Sequence, residues 1–409
     1  MYSDYRMNET NVQGYEQHER MIRTVSDRFI TYGYKRIKTS AFEKYDLYAS
    51  ANRSVNRNEM IKVIDHTGEV LVLRPDVTIP LTQQLSQDIA ELDNELRYFY
   101  VQDVFRRPRG ENEEIEKMQA GVEYFSERSP EADAEVIALA IHVLEDLGFT
   151  DIKIELGHAG YVKEILRHID LEKSKEEQLK AMIEAKNVVD IESFLTSLAI
   201  DEKWKQAIKE VPFLYGKPAT VIKKARSQQL TESIDETIDY IESVYEVLKM
   251  YDCEDNIVMD FGLINDMGYY SHTIFQGYVD NVGQPIVMGG RYNELGRRFG
   301  SNLPAVGFAY YIDTIIEVIQ RNNNQDESLL HAIILYDEQN LKQAIQLARS
   351  MREKNYEVIS VANNKRDKVG RRSEAVVYLL ETGNYLEHDE QTIQFVTNEE
   401  LLTTIENKG

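Results

Sequence analysis

One long block of the chain differs in character from the segments on either side of it. From Gly160 to Tyr251 the sequence is charged, rich in helix-favouring residues and almost free of strand-like alternation. Before this block, residues 69–76, 96–107 and 152–156 contain the alternating or aromatic-rich patterns that are typical of strands. Strand-like segments, then helices, then strand-like segments again predict an α+β domain that carries a helical insertion at about 160–251.

Two amphipathic segments precede the insertion. Apolar residues recur at intervals of three or four from Tyr15 to Phe29, and Gly33 follows in a position typical of a helix C-cap. A second helix is predicted from Pro130 to Leu147 on the same spacing.

The chain is expected to contain a second, smaller domain at its C-terminal end. A polar, Asn-rich stretch at 321–327 predicts a linker. Beyond it, strand-like segments alternate with a helical one, which predicts a small α/β domain over 328–409. The predicted boundaries are therefore 1–320 for the core, 321–327 for the linker and 328–409 for the α/β domain.

Composition excludes several classes of protein. The net charge is −23, which argues against a surface built to bind tRNA, because phosphate neutralisation by basic residues supplies most of that affinity. A single cysteine excludes an intramolecular disulfide and a multi-thiolate zinc site, and the eight histidines lack metal-ligand spacing, so no metal is expected. With no signal-peptide pattern and no long apolar run, the chain is expected to be a soluble, cytoplasmic protein without membrane contact.

Three segments in the second half carry the most specific pattern: GLINDMGYYSHTIFQG at 262–277, MGGRYNELG at 288–296 and PAVGFAYYIDTI at 304–315. They resemble the histidyl-tRNA synthetase family, which writes the first roughly as RGLDYYxxTxFE and the third as PAVGFAxGLERL. The resemblance implies a class II aminoacyl-tRNA synthetase-like antiparallel sheet with flanking helices. It also implies a helical insertion and a C-terminal domain trimmed from an anticodon-binding domain.

The same resemblance shows which residues of the synthetase reaction are replaced. The family's histidine-specific arginine falls on Asn265, its motif 3 glycine on Tyr311 and its motif 3 arginine on Thr314. The glutamate that reads adenine in motif 2 falls on Pro108. Cations placed on the phosphates supply much of the catalysis of adenylation, so their loss in separate segments argues against that chemistry.

The amino-acid end of the family's pocket is better preserved. The segments LRPDVT, VFRR and MQAGVE, together with the paired tyrosines, resemble the family's ligand-binding motifs. Two carboxylates suit an ammonium group, and aromatic rings suit a flat side chain. The resemblance therefore implies a histidine-like pocket formed by Asp76, Thr78, Arg106, Gln119, Glu123, Tyr269 and Tyr270.

The motif 2 loop is rich in acid where the family carries arginines for the triphosphate. Glu111, Glu113, Glu114 and Glu116 occupy the corresponding positions. If they faced a triphosphate they would repel it, by about 1–4 kcal/mol per pair. They equally fit a loop whose side chains point to solvent, and the sequence leaves both interpretations open.

A synthetase scaffold without its nucleotide cations resembles the regulatory subunits of ATP phosphoribosyltransferase. That resemblance implies a non-catalytic chain without cofactors, acting in the first committed step of histidine biosynthesis. The expected partners are a short-form catalytic phosphoribosyltransferase subunit, a second copy of this chain and histidine as an inhibitory effector. The alternatives are an active histidyl-tRNA synthetase and a stand-alone synthetase-like module that binds an amino acid.

Overall fold

The computed structural model describes residues 9–50, 57–88, 95–108, 114–169, 171–264, 269–322, 330–370, 373–388 and 391–406. The described residues form two compact units, one within His18–Asn322 and one within Met1–Gln17 and Asn323–Gly409. Residues 323–327 of the predicted linker lie outside the described residues. No helix among the described residues has the length and apolar content needed to cross a membrane.

The helices are α1 (Glu9–Thr31), α2 (Tyr45–Ser50), α3 (Thr78–Asp88), α4 (Pro130–Asp146), α5 (Ala159–Arg167), α6 (Lys173–Glu184), α7 (Val188–Thr196), α8 (Glu202–Glu210), α9 (Pro218–Ser227), α10 (Glu232–Met250), α11 (Leu295–Arg298), α12 (Ile312–Asn322), α13 (Leu341–Glu353) and α14 (Asn398–Glu406). The strands are β1 (Lys35–Arg36), β2 (Phe42–Lys44), β3 (Lys62–Ile64), β4 (Val70–Leu73), β5 (Leu96–Phe105), β6 (Glu116–Phe125), β7 (Ile152–His158), β8 (Tyr215–Gly216), β9 (Ile257–Asp260), β10 (Thr273–Val279), β11 (Val287–Arg291), β12 (Ala305–Tyr311), β13 (Leu330–Tyr336), β14 (Val358–Ala362), β15 (Ser373–Leu380), β16 (Gly383–His388) and β17 (Gln391–Phe395).

The larger unit is built on a mostly antiparallel sheet. Within the described residues its strand order is β1-β5-β6-β12-β11-β10-β7-β9-β8. Only the β1–β5 and β7–β9 pairs are parallel. The strands β6 and β12 are far apart in the sequence and lie side by side, with Glu123 opposite Gly307 and Gln119 opposite Tyr311.

The helix α4 covers one face of this sheet. Ser129 caps it by accepting a hydrogen bond from the Ala132 backbone N–H, and Pro130 occupies its first turn, where a missing N–H costs nothing. Its apolar side chains, among them Ile137 and Ile141, are fully buried with Phe29 of α1 and Ile154 of β7. Burial of these side chains is the main stabilising contribution, at about 1.5–3 kcal/mol for each large one.

The helices α5 to α10 lie between β7 and β9 in the chain, with β8 as a short strand among them. A buried ion pair joins α4 to the sheet: Arg291 Nε of β11 donates to Asp133 Oδ1 of α4 at 2.8 Å, and both side chains are 0% exposed. Asp133 Oδ2 accepts from the hydroxyls of Thr273 and Tyr240, the latter on α10. Each buried charge thus has a partner, as burial requires.

A smaller antiparallel sheet, in the order β2-β4-β3, leads the chain into α3. The other unit contains a five-stranded sheet in the order β14-β13-β15-β16-β17, with β13 parallel to both of its neighbours. Its core includes Ile334, Leu347, Val377 and Leu401. The hairpin β16–β17 and the helix α14 add to the alternating strands and helix predicted there.

Candidate ligand-binding site

The floor of the candidate site is formed by alternate residues of neighbouring strands. Residues two apart in a strand point to the same face of a sheet. Gln119, Gly121 and Glu123 of β6 therefore share a face with Gly307 and Ala309 of β12, which pair with them. The floor contains little side-chain volume because three of these five positions are Gly or Ala.

Three glycines allow three larger side chains to lie flat on this floor. A Cβ at Gly121 would lie 2.6 Å from the Tyr100 hydroxyl, and one at Gly290 would lie 2.8 Å from the Tyr270 ring. A Cβ at Gly307 would overlap the Glu123 carboxylate. Real Cβ atoms do not approach other atoms so closely. The glycines thus fix where the two tyrosines and the carboxylate lie.

The resulting cleft contains about 420 Å³ of unfilled space when its opening to solvent is included. Its walls combine carboxylates, hydroxyls, an amide and aromatic rings. The described residues that line it are Asp76, Thr78, Tyr100, Gln119, Glu123, Tyr269, Tyr270, Met288, Tyr292, Gly307, Phe308, Ala309 and Tyr311. A small polar molecule with one flat apolar part fits such a lining.

The loop before α3 presents Asp76. Arg74 is buried and anchors this loop, donating to the backbone carbonyls of Ser40 at 2.9 Å and Asp103 at 2.7 Å. Asp76 Oδ1 accepts from the backbone N–H of Ile79 at 2.7 Å, in the first turn of α3. Burial raises the pKa of Asp76, while this hydrogen bond and the charge of Arg106 oppose the shift.

Glu123 is the second carboxylate of the cleft and lies over Gly307. The hydroxyls of Thr78 and Tyr292 donate to its two oxygens. Burial raises the pKa of Glu123 to about 8, although both hydrogen bonds oppose the shift. This pKa favours the protonated carboxyl near neutral pH, and a cation beside Glu123 favours release of the proton.

Tyrosines form the aromatic part of the cleft. The Tyr269 ring lies edge-on to Tyr292 with centroids 5.5 Å apart, and 4.8 Å from the Tyr270 ring. Burial raises the pKa of each of these phenols far above the neutral range. They remain uncharged and present ring faces and hydroxyl groups to a ligand.

Arg106 lies beside the cleft and is not part of its lining. Its Nε donates to the Pro75 carbonyl at 2.8 Å, next to Asp76. Burial raises the pKa of Tyr311, and the positive charge of Arg106 opposes that shift, so the guanidinium is close to this end of the cleft. The other six residues of the predicted histidine-like pocket line the cleft together.

The replaced synthetase positions lie in different places. Tyr311 lines the cleft, Thr314 is half-buried in α12, and Pro108 is exposed at the end of β5. Asn265 lies outside the described residues. In the acidic loop, Glu114 and Glu116 are exposed, and Glu111 and Glu113 lie outside the described residues.

Sequence reasoning missed several lining residues. Tyr100 lies in the aromatic-rich strand β5, and Tyr292 directly follows the MGGR segment, but neither position signals by itself which face it occupies. Only the pairing of strands places these side chains in the cleft. The residues concerned are Tyr100, Met288, Tyr292, Gly307, Phe308 and Ala309.

Comparison with known proteins places this geometry in a family. The model of the histidyl-tRNA synthetase family matches residues 7–315. The ATP phosphoribosyltransferase regulatory subunit of Oceanobacillus iheyensis is 43% identical over 340 residues, which cover 83% of each chain. That of Bacillus licheniformis is 31% identical over 356 residues, which cover 86% of this chain and 89% of the relative.

Solved structures agree with this assignment. An ATP phosphoribosyltransferase regulatory subunit/histidyl-tRNA synthetase from Bacillus halodurans C is 28% identical, with a TM-score of 0.78 over 90% of this chain and 94% of that one. Histidyl-tRNA synthetase from Nostoc sp. PCC 7120 has a TM-score of 0.83 over 97% and 96% of the two chains. At 16% identity the second likeness concerns the fold alone. The predicted class II synthetase-like α+β fold is confirmed.

Proposed function

The chain belongs to the family of ATP phosphoribosyltransferase regulatory subunits, which has the histidyl-tRNA synthetase fold, and on this premise we propose how it regulates. It assembles with a short catalytic phosphoribosyltransferase chain, activates that chain and contributes to its inhibition by histidine. Its own core pairs with a second copy, and it catalyses no aminoacylation itself.

One observation carries the proposal: the cleft keeps groups for an amino acid and lacks groups for a triphosphate. Two carboxylates, Asp76 and Glu123, line it, whereas none of its described lining residues is Lys or Arg. Adenylation needs cations on the phosphates in its transition state. The cleft thus supports binding of an amino acid without its activation.

A histidine zwitterion matches the order of groups along the cleft. The α-ammonium meets Asp76, Thr78 and Gln119, which offer a carboxylate, a hydroxyl and an amide. The imidazole lies among the tyrosine rings near Glu123. The α-carboxylate points toward the guanidinium of Arg106, at the Tyr311 end of the cleft. The ammonium and the carboxylate of the α-carbon therefore meet opposite charges at one end of the cleft, and the imidazole lies at the other.

Inhibition through such a site requires a difference between two assembly states. Histidine can shift the equilibrium only by the ratio of its affinities for the inhibited and active complexes. A tenfold ratio corresponds to about 1.4 kcal/mol. The same linkage requires the active complex, when it forms, to weaken histidine binding by the same factor.

The test combines this chain with a short-form catalytic ATP phosphoribosyltransferase. We expect co-purification, a higher phosphoribosyl transfer rate with the chain than without it, and inhibition by histidine. Catalytic subunit that is neither bound nor activated would contradict the proposal. Histidine-dependent ATP–pyrophosphate exchange by the chain alone would instead identify an active synthetase.

The pocket is tested with matched variants. Glu123→Ala should weaken histidine binding by about tenfold or more, since it removes a carboxylate from the cleft. Glu114→Ala removes the same type of side chain at an exposed position outside the cleft and should leave the calorimetric affinity unchanged. Equal affinities of the two variants would mean that histidine binds elsewhere in the assembly.

A further inference from the structure

We infer that Tyr311 closes one end of the cleft and sets the length of the ligand that the cleft admits. The inference deepens the proposed function, on which it rests for the identity of the ligand. It names the chemical class of the ligand as free α-amino acids, and it excludes amino acids extended at their carboxyl group. Four observations on the cleft support it.

The first is the size of the side chains along β12. Gly307, Ala309 and Tyr311 share the face that lines the cleft. A strand rises about 3.3–3.4 Å per residue, and Tyr311 lies four residues after Gly307. The Tyr311 side chain therefore begins about 13 Å from Gly307. At the Gly307 end, the Glu123 carboxylate lies over the floor. The Tyr311 hydroxyl reaches Met288, which pairs with Ala309, so the phenol ring extends back over this floor and shortens its open part.

The second observation is that the Tyr311 side chain is held in place. Its hydroxyl donates to the Met288 sulfur at 3.4 Å, and its backbone N–H donates to the Ile286 carbonyl at 2.9 Å. Both partners belong to the segment that forms or precedes β11. A thioether is a weak acceptor, so the packing of the ring, rather than this bond, fixes the position of the side chain.

The third observation is the distribution of charge along the cleft. The buried carboxylates Asp76 and Glu123 line it, and the guanidinium of Arg106 lies at the Tyr311 end. A zwitterion therefore binds with its carboxylate directed to Arg106 and Tyr311. Any group attached to that carboxyl carbon would meet the phenol ring.

The fourth observation is that the Tyr311 side chain is much larger than those of the other two residues on this face of β12. The two preceding residues on this face carry no side chain or a methyl group only. Replacing Tyr311 with Ala would continue that small-residue floor beyond Ala309. The cleft would then extend along β12 without a change at the end that holds Glu123.

The test uses two histidine esters that both lack the carboxylate charge, keep the α-amino group and differ in the size of the ester group. Calorimetry is carried out with L-histidine methyl ester and L-histidine benzyl ester on the wild-type chain, Tyr311→Ala and Tyr311→Phe. We expect the wild type and Tyr311→Phe to prefer the methyl ester by about tenfold or more, and Tyr311→Ala to lose that preference. Phe keeps the ring and removes only the hydroxyl, which makes it the matched control.

Benzyl ester binding equal to methyl ester binding in the wild type would overturn the inference, as would a preference that persists in Tyr311→Ala. Absence of binding of L-histidine itself to the wild type would contradict the proposed histidine pocket instead. A second measurement then still decides the role of Tyr311, because it needs no affinity for histidine.

This measurement places a thiol on the floor by Ala309→Cys. The native Cys253 should react only slowly with these reagents, since it is 2% exposed and burial raises the pKa of its thiol to about 12. Methyl methanethiosulfonate should modify Cys at 309 at similar rates with Tyr or Ala at 311. Benzyl methanethiosulfonate should react about tenfold faster in the Ala309→Cys, Tyr311→Ala double variant. Equal rates with the benzyl reagent would overturn the inference.

Discussion

Glu123 governs the chemistry of the cleft because it is an acid enclosed by groups that cannot neutralise it. Its nearest hydrogen-bond donors are hydroxyls, and the carboxylate of Asp76 adds to the upward shift of its pKa. A carboxyl with a pKa of about 8 favours its protonated form at neutral pH, and a cation beside it favours the ionised form. Such a group couples ligand charge to proton release.

The same group makes stability depend on pH in a defined direction. The pKa of Glu123 is about 8 in the folded chain, against about 4.5 when unfolded, so the folded chain binds the proton more tightly. The contribution of Glu123 to the free energy of unfolding is fully present below about pH 4.5 and is lost as pH rises through 8. The expected loss is on the order of 5 kcal/mol once Glu123 is fully ionised, and the raised pKa of Asp76 acts in the same direction.

We therefore predict that Glu123→Gln flattens this dependence. The amide can accept from one hydroxyl and donate to the other, so the variant should match the wild type near pH 5 and exceed it by a few kcal/mol near pH 8.5. Urea unfolding at the two pH values measures the difference. Glu114→Gln, at an exposed position, should follow the wild type at both. Parallel curves for Glu123→Gln and the wild type would mean that Glu123 is ionised in the folded chain.

At the scale of elements, the cleft depends on how β6, β12, β11 and β10 pair. Gly290 of β11 lies opposite Gly307 of β12 and Ile274 of β10. A Cβ at Gly290 would lie 2.6 Å from the Thr273 carbonyl and 2.8 Å from the Tyr270 ring. A rotamer change cannot relieve the clash with the Thr273 carbonyl, because that atom belongs to the backbone. The Tyr270 ring can avoid the added methyl group only by changing its position in the cleft.

Gly290→Ala is accordingly expected to destabilise the chain by about 1–3 kcal/mol and to weaken histidine binding. Gly283→Ala is the control, because its Cβ meets nothing within 4 Å and should change stability by less than about 0.5 kcal/mol. Thermal unfolding and calorimetry on both variants measure the effect. Equal behaviour of the two glycine variants would show that the sheet accommodates the methyl group.

The sequence predicts these elements better than it predicts the floor they form. Apolar spacing indicated the helix at 130–147 and the strand at 152–156, because burial on one face leaves a local period. Glu123 of β6 and Gly307 of β12 lie opposite each other although 184 positions separate them in the sequence. The local spacing of apolar residues contains no information on the register between such distant strands. The positions of Tyr292 and the floor glycines in the cleft therefore follow only from the fold.

For the whole molecule, the cleft belongs to one compact unit. Every described residue that lines it lies between Asp76 and Tyr311, inside the unit His18–Asn322. The three buried clusters of that unit draw on residues from Met21 to Val318. The five-stranded sheet has its own core, from Ala332 to Leu402. Two separate cores indicate two units that can fold independently.

Ending the chain after Asn322 should therefore leave histidine binding within about twofold of the full-length value. The truncation removes no described lining residue and no member of these three buried clusters. Calorimetry gives the affinity, circular dichroism checks folding, and Glu123→Ala in the truncated chain controls for binding elsewhere. Loss of affinity in a folded truncated chain would contradict the confinement of the site to one unit. If the affinity is kept but activation of the catalytic subunit is lost, the C-terminal unit serves assembly, and ligand and partner act on different units of the chain.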